Sequence, residues 1–221
     1  MIAPRPFVYN PPTKPFLSVV FHDDDILVLN KASGLLSVAG NRPELADCLE
    51  KRAKEKFPSA KIIHRLDKDT SGLIVLGLNA ISHAHIGLQF EKRQTKKEYI
   101  ARVWGRVAQQ EGQIDEPIIT DWPNRPKQMI DYERGRNAIT NWKILQYEGE
   151  YTRLLLQPIT GRSHQLRLHL LHIGHPILGD NLYAHDEALV VATRLQLHAG
   201  FLSFIHPKTG KKCEFELDCP F

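Results

Sequence analysis

From Gly72 to Leu78 the chain reads Gly-Leu-Ile-Val-Leu-Gly-Leu, with no polar side chain and β-branched residues at its centre. A run without polar alternation is not a surface strand; it reads as a strand buried in a core. It is the longest apolar run of the chain and far too short to span a bilayer. The residues entering it are the opposite in character: His64-Arg65-Leu66-Asp67-Lys68-Asp69-Thr70-Ser71 is the densest polar cluster of the sequence. A polar loop that feeds a core strand is held rigidly, which suits a carboxylate that must be placed accurately. Arg65 close to Asp67 favours its ionised form. The same residues also satisfy a plain polar turn with a capping Asp and a surface ion pair.

Around this strand the pattern interleaves strands and helices. Val19–Phe21 and Ile26–Leu29 flank a turn at His22-Asp23-Asp24-Asp25. After Pro43, Leu45, Leu49, Ala53 and Phe57 recur every fourth residue, predicting a helix that Pro58 stops. Asn79 is placed to cap a helix whose Ile81, Ala84, His85 and Leu88 share a face. Tyr99, Ala101 and Val103 alternate with Ile100, Arg102 and Trp104, a strand with one face available for function. Trp142–Tyr147 and Tyr151–Gln157 read as paired strands. Ser163 is placed to cap a helix that Gly174 closes, and Leu195–His206 with Cys213–Leu217 reads as a terminal hairpin. Several strand pairs are hairpins and not βαβ units, so the expected class is α+β on a mixed, largely antiparallel sheet. Residues 1–15, with five prolines, read as an extended arm, and no linker divides residues 16–221, read as one catalytic domain.

Composition narrows the function classes. The 221 residues are 42% apolar and 24% charged, which excludes a wholly disordered chain. The prolines of the arm exclude a secretory leader, and three cysteines make neither a disulfide framework nor a Cys-rich metal site, which points to the cytoplasm. The net charge is +4. Basic residues gather between Glu91 and Arg106 and again from Arg125 through Lys127 to Arg136, beside Trp122 and Tyr132. Cations that neutralise phosphates next to aromatics that stack on unpaired bases suit looped RNA; on charge alone they equally suit a solvated surface. His-Arg-Leu-Asp differs from the kinase catalytic loop in the position of its Asp, and the chain has no phosphate-binding glycine loop. The eleven histidines form no His-Glu-x-x-His, and no acidic residue joins His164, His169 and His172 on their helix, so no metal site is expected.

The segment His64-Arg65-Leu66-Asp67-x-x-Thr70-Ser71-Gly72-Leu73 resembles the signature of the large-subunit pseudouridine synthase A family. Asn30-Lys31-x-x-Gly34-Leu35, Lys96-Lys97-x-Tyr99-x-Ala101, Gly161-Arg162-x-His164-Gln165-Leu166-Arg167, Gly174-His175-Pro176-Ile177-x-Gly179-Asp180-x-x-Tyr183 and Leu197-His198-Ala199 resemble its other motifs, in order, over nearly the whole chain. Ala32 departs from the family's usual Pro, which would loosen that turn. The resemblance implies the pseudouridine synthase fold, with a central RNA-binding cleft. It also implies isomerisation of uridine in RNA to pseudouridine, without metal, ATP or redox cofactor.

That reaction leaves electron deficiency at C1′, so it needs a carboxylate as at glycosidase sites. The resemblance gives this role to Asp67, uracil stacking and proton transfer at C5 to Tyr99, and pairing with the nucleophile to Arg167. A stacked uridine must be flipped out, and Arg65 is the candidate to fill the space it leaves. Lys96, Lys97, Arg125 and Lys127 are expected on phosphates, and His64, Leu66, Thr70, Arg162, His164 and Gln165 on the remaining substrate-binding surface; His164 and His198 are also read as hydrogen-bonding supports. Asp121-Trp122-Pro123-Asn124-Arg125-Pro126-Lys127-Gln128 resembles the loop of a family member that modifies both a 23S ribosomal RNA hairpin and a tRNA anticodon stem-loop. The short arm leaves no room for an S4-type RNA-binding domain, which fits a compact stem-loop substrate. The alternatives are a synthase limited to one RNA and a non-catalytic RNA-folding module. No membrane or protein partner is implied, and a monomer is expected.

Overall fold

A computed structural model describes residues 8–221; the beginning of the Pro-rich arm lies outside the described residues. The chain divides into two compact units, the described residues up to Lys97 with His198–Pro220, and Glu98–Leu197 with Phe221.

The first unit opens with β1 (Val19–His22), β2 (Ile26–Lys31), α1 (Leu49–Lys56), β3 (Lys61–Ile62), β4 (Ser71–Gly77) and α2 (Ala80–Glu91). Strand β4 is buried at every residue, as its unbroken apolar run requires. Strand β2 runs antiparallel along one edge of it, from Ile26 opposite Gly77 to Lys31 opposite Gly72. Strand β1 pairs antiparallel with β2, and the turn between them is closed by the Asp23 carboxylate, which accepts from the amides of Asp25 and Ile26 at 2.8 Å.

Two expected helices are corrected in detail. Pro43–Leu45 form only a 3-10 turn, and α1 begins at Leu49 with Cys48 as its N-cap. The break turns Arg52 inward beside Leu49 and Ala53. The Arg52 guanidinium is 1% exposed, and it donates to both oxygens of Asp47 (2.8 and 2.6 Å) and to the carbonyls of Pro12 (2.7 Å) and Phe16 (3.2 Å). The part of the arm within the described residues is therefore fastened to α1. Helix α2 is capped by Asn79, as read from the sequence, but Ile81, Ala84, His85 and Leu88 lie on its exposed side. Its buried face is Ser82, Ile86 and Gln89. The inward polar groups are spent on neighbours: Ser82 Oγ donates to Asp25, and the Gln89 amide both donates to and accepts from the backbone of Ile205.

The second unit contains β5 (Lys96–Trp104) from Glu98 onward, β6 (Glu111–Asp115), β7 (Ile118–Thr120), β8 (Gln128–Ile130), β9 (Ile139–Glu148), β10 (Tyr151–Pro158), α3 (Gln165–His172) and α4 (Asp186–Val190). Strands β5, β10, β9 and β6 form an antiparallel sheet in that order, and β7 and β8 form a separate hairpin. Ala101, Val103, Leu154 and Leu156 pack with Leu166 and Leu170 of α3. The expected Ser163 cap is not made: His164, at φ 54, precedes the helix. Gly174 closes α3, with its amide on Leu171 O and the His175 amide on Leu170 O, the paired bonds of a Schellman end.

The chain then completes the first unit with β11 (Leu197–Ile205) and β12 (Lys212–Glu216), the expected hairpin. Strand β11 lies parallel to the start of β4, with His198 opposite Ser71 and Ala199 opposite Gly72. The architecture is the expected α+β, mixed and largely antiparallel. At Gly72 φ is +116, and a Cβ there would sit 2.2 Å from the Ala199 carbonyl oxygen. Gly72→Ala should therefore lower stability by about 3 kcal/mol in a denaturant titration. Gly87→Ala, on α2 with open space around it, should instead gain about 0.5–1 kcal/mol. Equal effects would show that the crossing at Ala199 is not tight.

Candidate active site

The loop carrying Asp67 is gripped along its backbone by residues 31–37. Gly34 N–H and the Lys31 ammonium both donate to Lys68 O, at 2.9 and 2.8 Å. The Ser33 hydroxyl donates to Asp69 O at 2.7 Å. The Ser37 hydroxyl donates to Leu66 O at 2.7 Å and accepts from Leu66 N–H at 3.1 Å, so one side chain satisfies both backbone groups of the residue before Asp67. Lys31 is fully buried, and its Nζ also donates to the carbonyls of Ala32 and Leu35. With Ala32 in place of the family's Pro, the turn is still closed by these bonds. Within the loop Thr70 N–H donates to Asp67 O. Thr70 and Leu66 are buried, Asp67 is half-buried and Arg65 is exposed.

His64 has a task the sequence did not suggest. Its Nε2 accepts the Val75 amide at 3.2 Å, and its ring stacks on Phe90 at 4.3 Å. Desolvation, with the Lys97 charge adding to it, pushes the imidazole pKa down to about 3. Lys97 sits over the same Phe90 ring and is itself pushed down by burial, while Lys96 lies over Phe201.

In the second unit the Arg167 guanidinium is buried and donates from Nε and Nη2 to the two oxygens of Asp180, at 2.8 and 2.7 Å. Asp180 Oδ1 also accepts the amides of Leu182 and Tyr183. Tyr183 lies beneath the guanidinium, and its hydroxyl joins His164 Nδ1 at 2.8 Å to the Gln128 amide at 2.8 Å. The Gln165 amide is spent inside the protein: it donates to Ile139 O and Thr140 Oγ1 and accepts from Thr160 Oγ1 and the Arg162 amide. Arg162 itself donates to Asn137 O. Tyr99 is half-buried and packs against the core of this unit.

The basic stretches are partly self-neutralised. Arg102 and Arg153 share Glu148, Arg106 stacks on Tyr147, and Arg134 pairs with Asp131. Arg125 and Lys127 are exposed on the connection between β7 and β8. Of the histidines, His169 bonds Thr140 and the Glu116 carbonyl, and His198 lies 2.9 Å from Ser71 Oγ. Asp23, Asp25 and His206 bring ligand atoms within 4.8 Å of one another. Those atoms already serve the β1–β2 turn, the α2 cap and an Asp23–His206 pair at 2.8 Å.

Within its own unit each expected site residue is well held: Asp67 on a backbone-gripped loop, Arg167 buried near the start of α3, and Tyr99 packed against the core. Residues 25–172 match the RNA pseudouridylate synthase family, and the chain belongs to it. It is an isomerase that converts uridine in RNA to pseudouridine. The dual-specificity RNA pseudouridine synthase RluA of Escherichia coli K12 is 48% identical over 214 residues, spanning 96% of this chain and 98% of that protein. The protein of the same name from Yersinia pestis is 50% identical over 204 residues, spanning 92% of this chain and 99% of that one. Among solved structures, human RNA Pseudouridylate Synthase Domain Containing 1 has a TM-score of 0.78 at 29% identity, covering 96% of this chain and 87% of that one.

Removing the Ser37 hydroxyl leaves Leu66 N–H and C=O unpaired. Ser37→Ala should therefore cost about 1–3 kcal/mol of stability and lower kcat more than it raises KM for RNA, with Ser37→Thr recovering part of both. A raised KM alone would mean that the grip does not place Asp67. His64 gives a pH signature. Above its unfolded pKa of roughly 6.5 the ring is neutral in both states and makes no difference. Below that the unfolded chain takes up a proton that the folded chain refuses until about pH 3, so stability falls by up to about 1.4 kcal/mol per pH unit. His64→Gln keeps an acceptor but cannot titrate, so its stability should fall less steeply between pH 6 and 4. Identical slopes would contradict the shielded imidazole.

Proposed function

We propose that the chain modifies a 23S ribosomal RNA hairpin and a tRNA anticodon stem-loop, acting as a monomer in the cytoplasm, with Asp67, Tyr99 and Arg167 as its catalytic residues. The observation that carries the site assignment is the grip on residues 66–69, which fixes the backbone on both sides of Asp67 and leaves its carboxyl half-buried. The relatives' names, dual-specificity RNA pseudouridine synthase, support more than one RNA substrate.

In the reaction the N1–C1′ bond breaks and a C5–C1′ bond forms; C5 loses a proton and N1 gains one. The Asp67 carboxylate meets the electron-deficient C1′, as nucleophile or ion stabiliser. The Tyr99 ring carries the uracil while it turns, and its hydroxyl assists proton removal at C5. Arg167, oriented by its two bonds to Asp180, is the cation assigned to pair with the nucleophile. Arg65 takes the place of the flipped uridine, and Lys96, Arg125 and Lys127 meet phosphates. His64, Leu66, Thr70 and Gln165 keep their expected places on the substrate-binding surface, and their hydrogen bonds also hold the loop and the start of α3.

Asp67→Asn should abolish pseudouridine formation while RNA binding stays within a few-fold. Asp69→Asn should keep most activity, because Asp69 is committed to Lys68 (3.3 Å) and to its backbone bond with Ser33. An active Asp67 variant beside a dead Asp69 variant would reverse the assignment. Pseudouridine mapping in a strain lacking the protein should show loss at one ribosomal and one tRNA position. Loss in a single RNA class would reduce the reading to one substrate.

A further inference from the structure

The connection from Asp121 to Lys127 has so far supplied only the phosphate contacts of Arg125 and Lys127, yet its backbone is closed by several hydrogen bonds. Asp121 N–H donates to Lys127 O at 3.0 Å, Asn124 N–H to Asp121 O at 3.1 Å and Lys127 N–H to Asn124 O at 3.0 Å. Asn124 Nδ2 ties to Asp121 Oδ2 at 3.0 Å, and the following amide, Gln128 N–H, is held by Tyr183 Oη at 2.8 Å. On this braced frame Trp122 is 65% exposed. An indole is a large apolar surface to leave in water, and here the backbone cannot fold it away. The Arg125 guanidinium lies 4.7 Å from the ring centroid, and Lys127 is exposed close by in the chain.

An aromatic plane oriented by a stacked guanidinium, with positive charge beside it, matches an unpaired base and its phosphates. A paired base keeps its faces inside the helix and offers no such surface. An apolar protein partner would bury the two cations unpaired. We propose that Trp122 and Arg125 form a stacking seat for one unpaired base of the RNA substrate, a second base and not the uridine assigned to Asp67. This rests on the pseudouridine synthase reading and deepens it. The enzyme then selects an RNA that presents its target uridine together with another unstacked base, as a hairpin loop does, and a fully paired RNA with the same uridine loses this contact.

The test uses the full chain and synthetic stem-loop RNAs with single abasic substitutions at each unpaired position other than the target. On the intact RNA, Trp122→Ala should raise KM and the dissociation constant by about ten- to one-hundred-fold with a smaller change in kcat, and Trp122→Phe should recover most of the loss. One abasic position should produce a similar loss with the unaltered enzyme, and on that RNA Trp122→Ala should cause no further loss. The exposed position makes a folding defect easy to recognise, by comparing melting temperatures of the two variants. Unchanged RNA binding by Trp122→Ala, or an equal additional loss on every abasic RNA, would overturn the seat. If the unaltered enzyme forms no pseudouridine in any stem-loop, the enzymatic reading fails separately, and the same binding measurements still decide the seat.

Discussion

A strand buried on both faces must have its backbone groups paired along both edges, and β4 meets this demand in an uneven way. One edge is covered along its length by β2. The other is shared: β11 pairs with Ser71 and Gly72, β3 with Leu76 and Gly77, and the interval at Val75 is filled by the His64 ring nitrogen. The chain entering β4 is therefore pinned to the middle of that same strand. Residues 64–70 must form a tight loop whose own polar groups need partners, and residues 31–37 supply them. The placement of Asp67 follows from completing the ladder of a core strand, which is why so polar a segment can be so well fixed.

Three buried cations bear a further part of the structure. Lys31, Arg52 and Arg167 are nearly or wholly removed from solvent, and each is surrounded by oxygens. Burying a charge is favourable only when its hydrogen bonds are completed, and removing one partner then costs about 3–5 kcal/mol. Each cation joins pieces of chain that hydrophobic contact alone would leave loosely ordered. Lys31 binds the turn after β2 to the loop carrying Asp67, Arg52 binds the proline-rich segment to α1, and Arg167 binds α3 to the turn at Asp180. The side-chain entropy lost by two arginines and a lysine is offset because each orders several backbone segments at once.

The sequence made the strands legible wherever burial alone decides them. The apolar run of β4, the hairpins β1–β2, β9–β10 and β11–β12, and the Asn79 cap all follow from local rules. The errors share a cause. Ser82, Gln89 and Arg52 face inward because their polar ends meet a turn carboxylate, a strand backbone and loop carbonyls far away in sequence, and a periodicity that counts only apolar residues places them outside. For α2 this reversed the helix face. The motif residues could be named from the sequence, but what some of them do could not. Lys31 and Ser37 reach the loop across 37 and 29 residues, and no local pattern reports a side chain's distant backbone partner. Strands β6, β7 and β8 escaped because they are short, with little apolar alternation.

The left-handed backbone at His164 belongs to a run of hydrogen bonds that braces the second unit. A non-glycine residue at φ 54 costs on the order of 1 kcal/mol, and it persists only when its surroundings hold it there. Here the holding group is the Tyr183 hydroxyl, which accepts from the Gln128 amide and shares a hydrogen bond with His164 Nδ1. The Tyr183 and Leu182 amides rest on Asp180, and Asp180 holds Arg167. The links from Gln128 through Tyr183 to His164, and from Asp180 to Arg167, are side-chain hydrogen bonds of 2.7 to 2.8 Å. The connection between β7 and β8 is thus joined to a braced frame that ends at a buried guanidinium, and an RNA base on the proposed Trp122 seat would press on that frame and not on a hinge. On the proposed roles of Trp122 and Arg167, binding energy gathered away from the reacting base is spent on holding a charge in place during the reaction, which is where remote contacts raise turnover and not affinity alone.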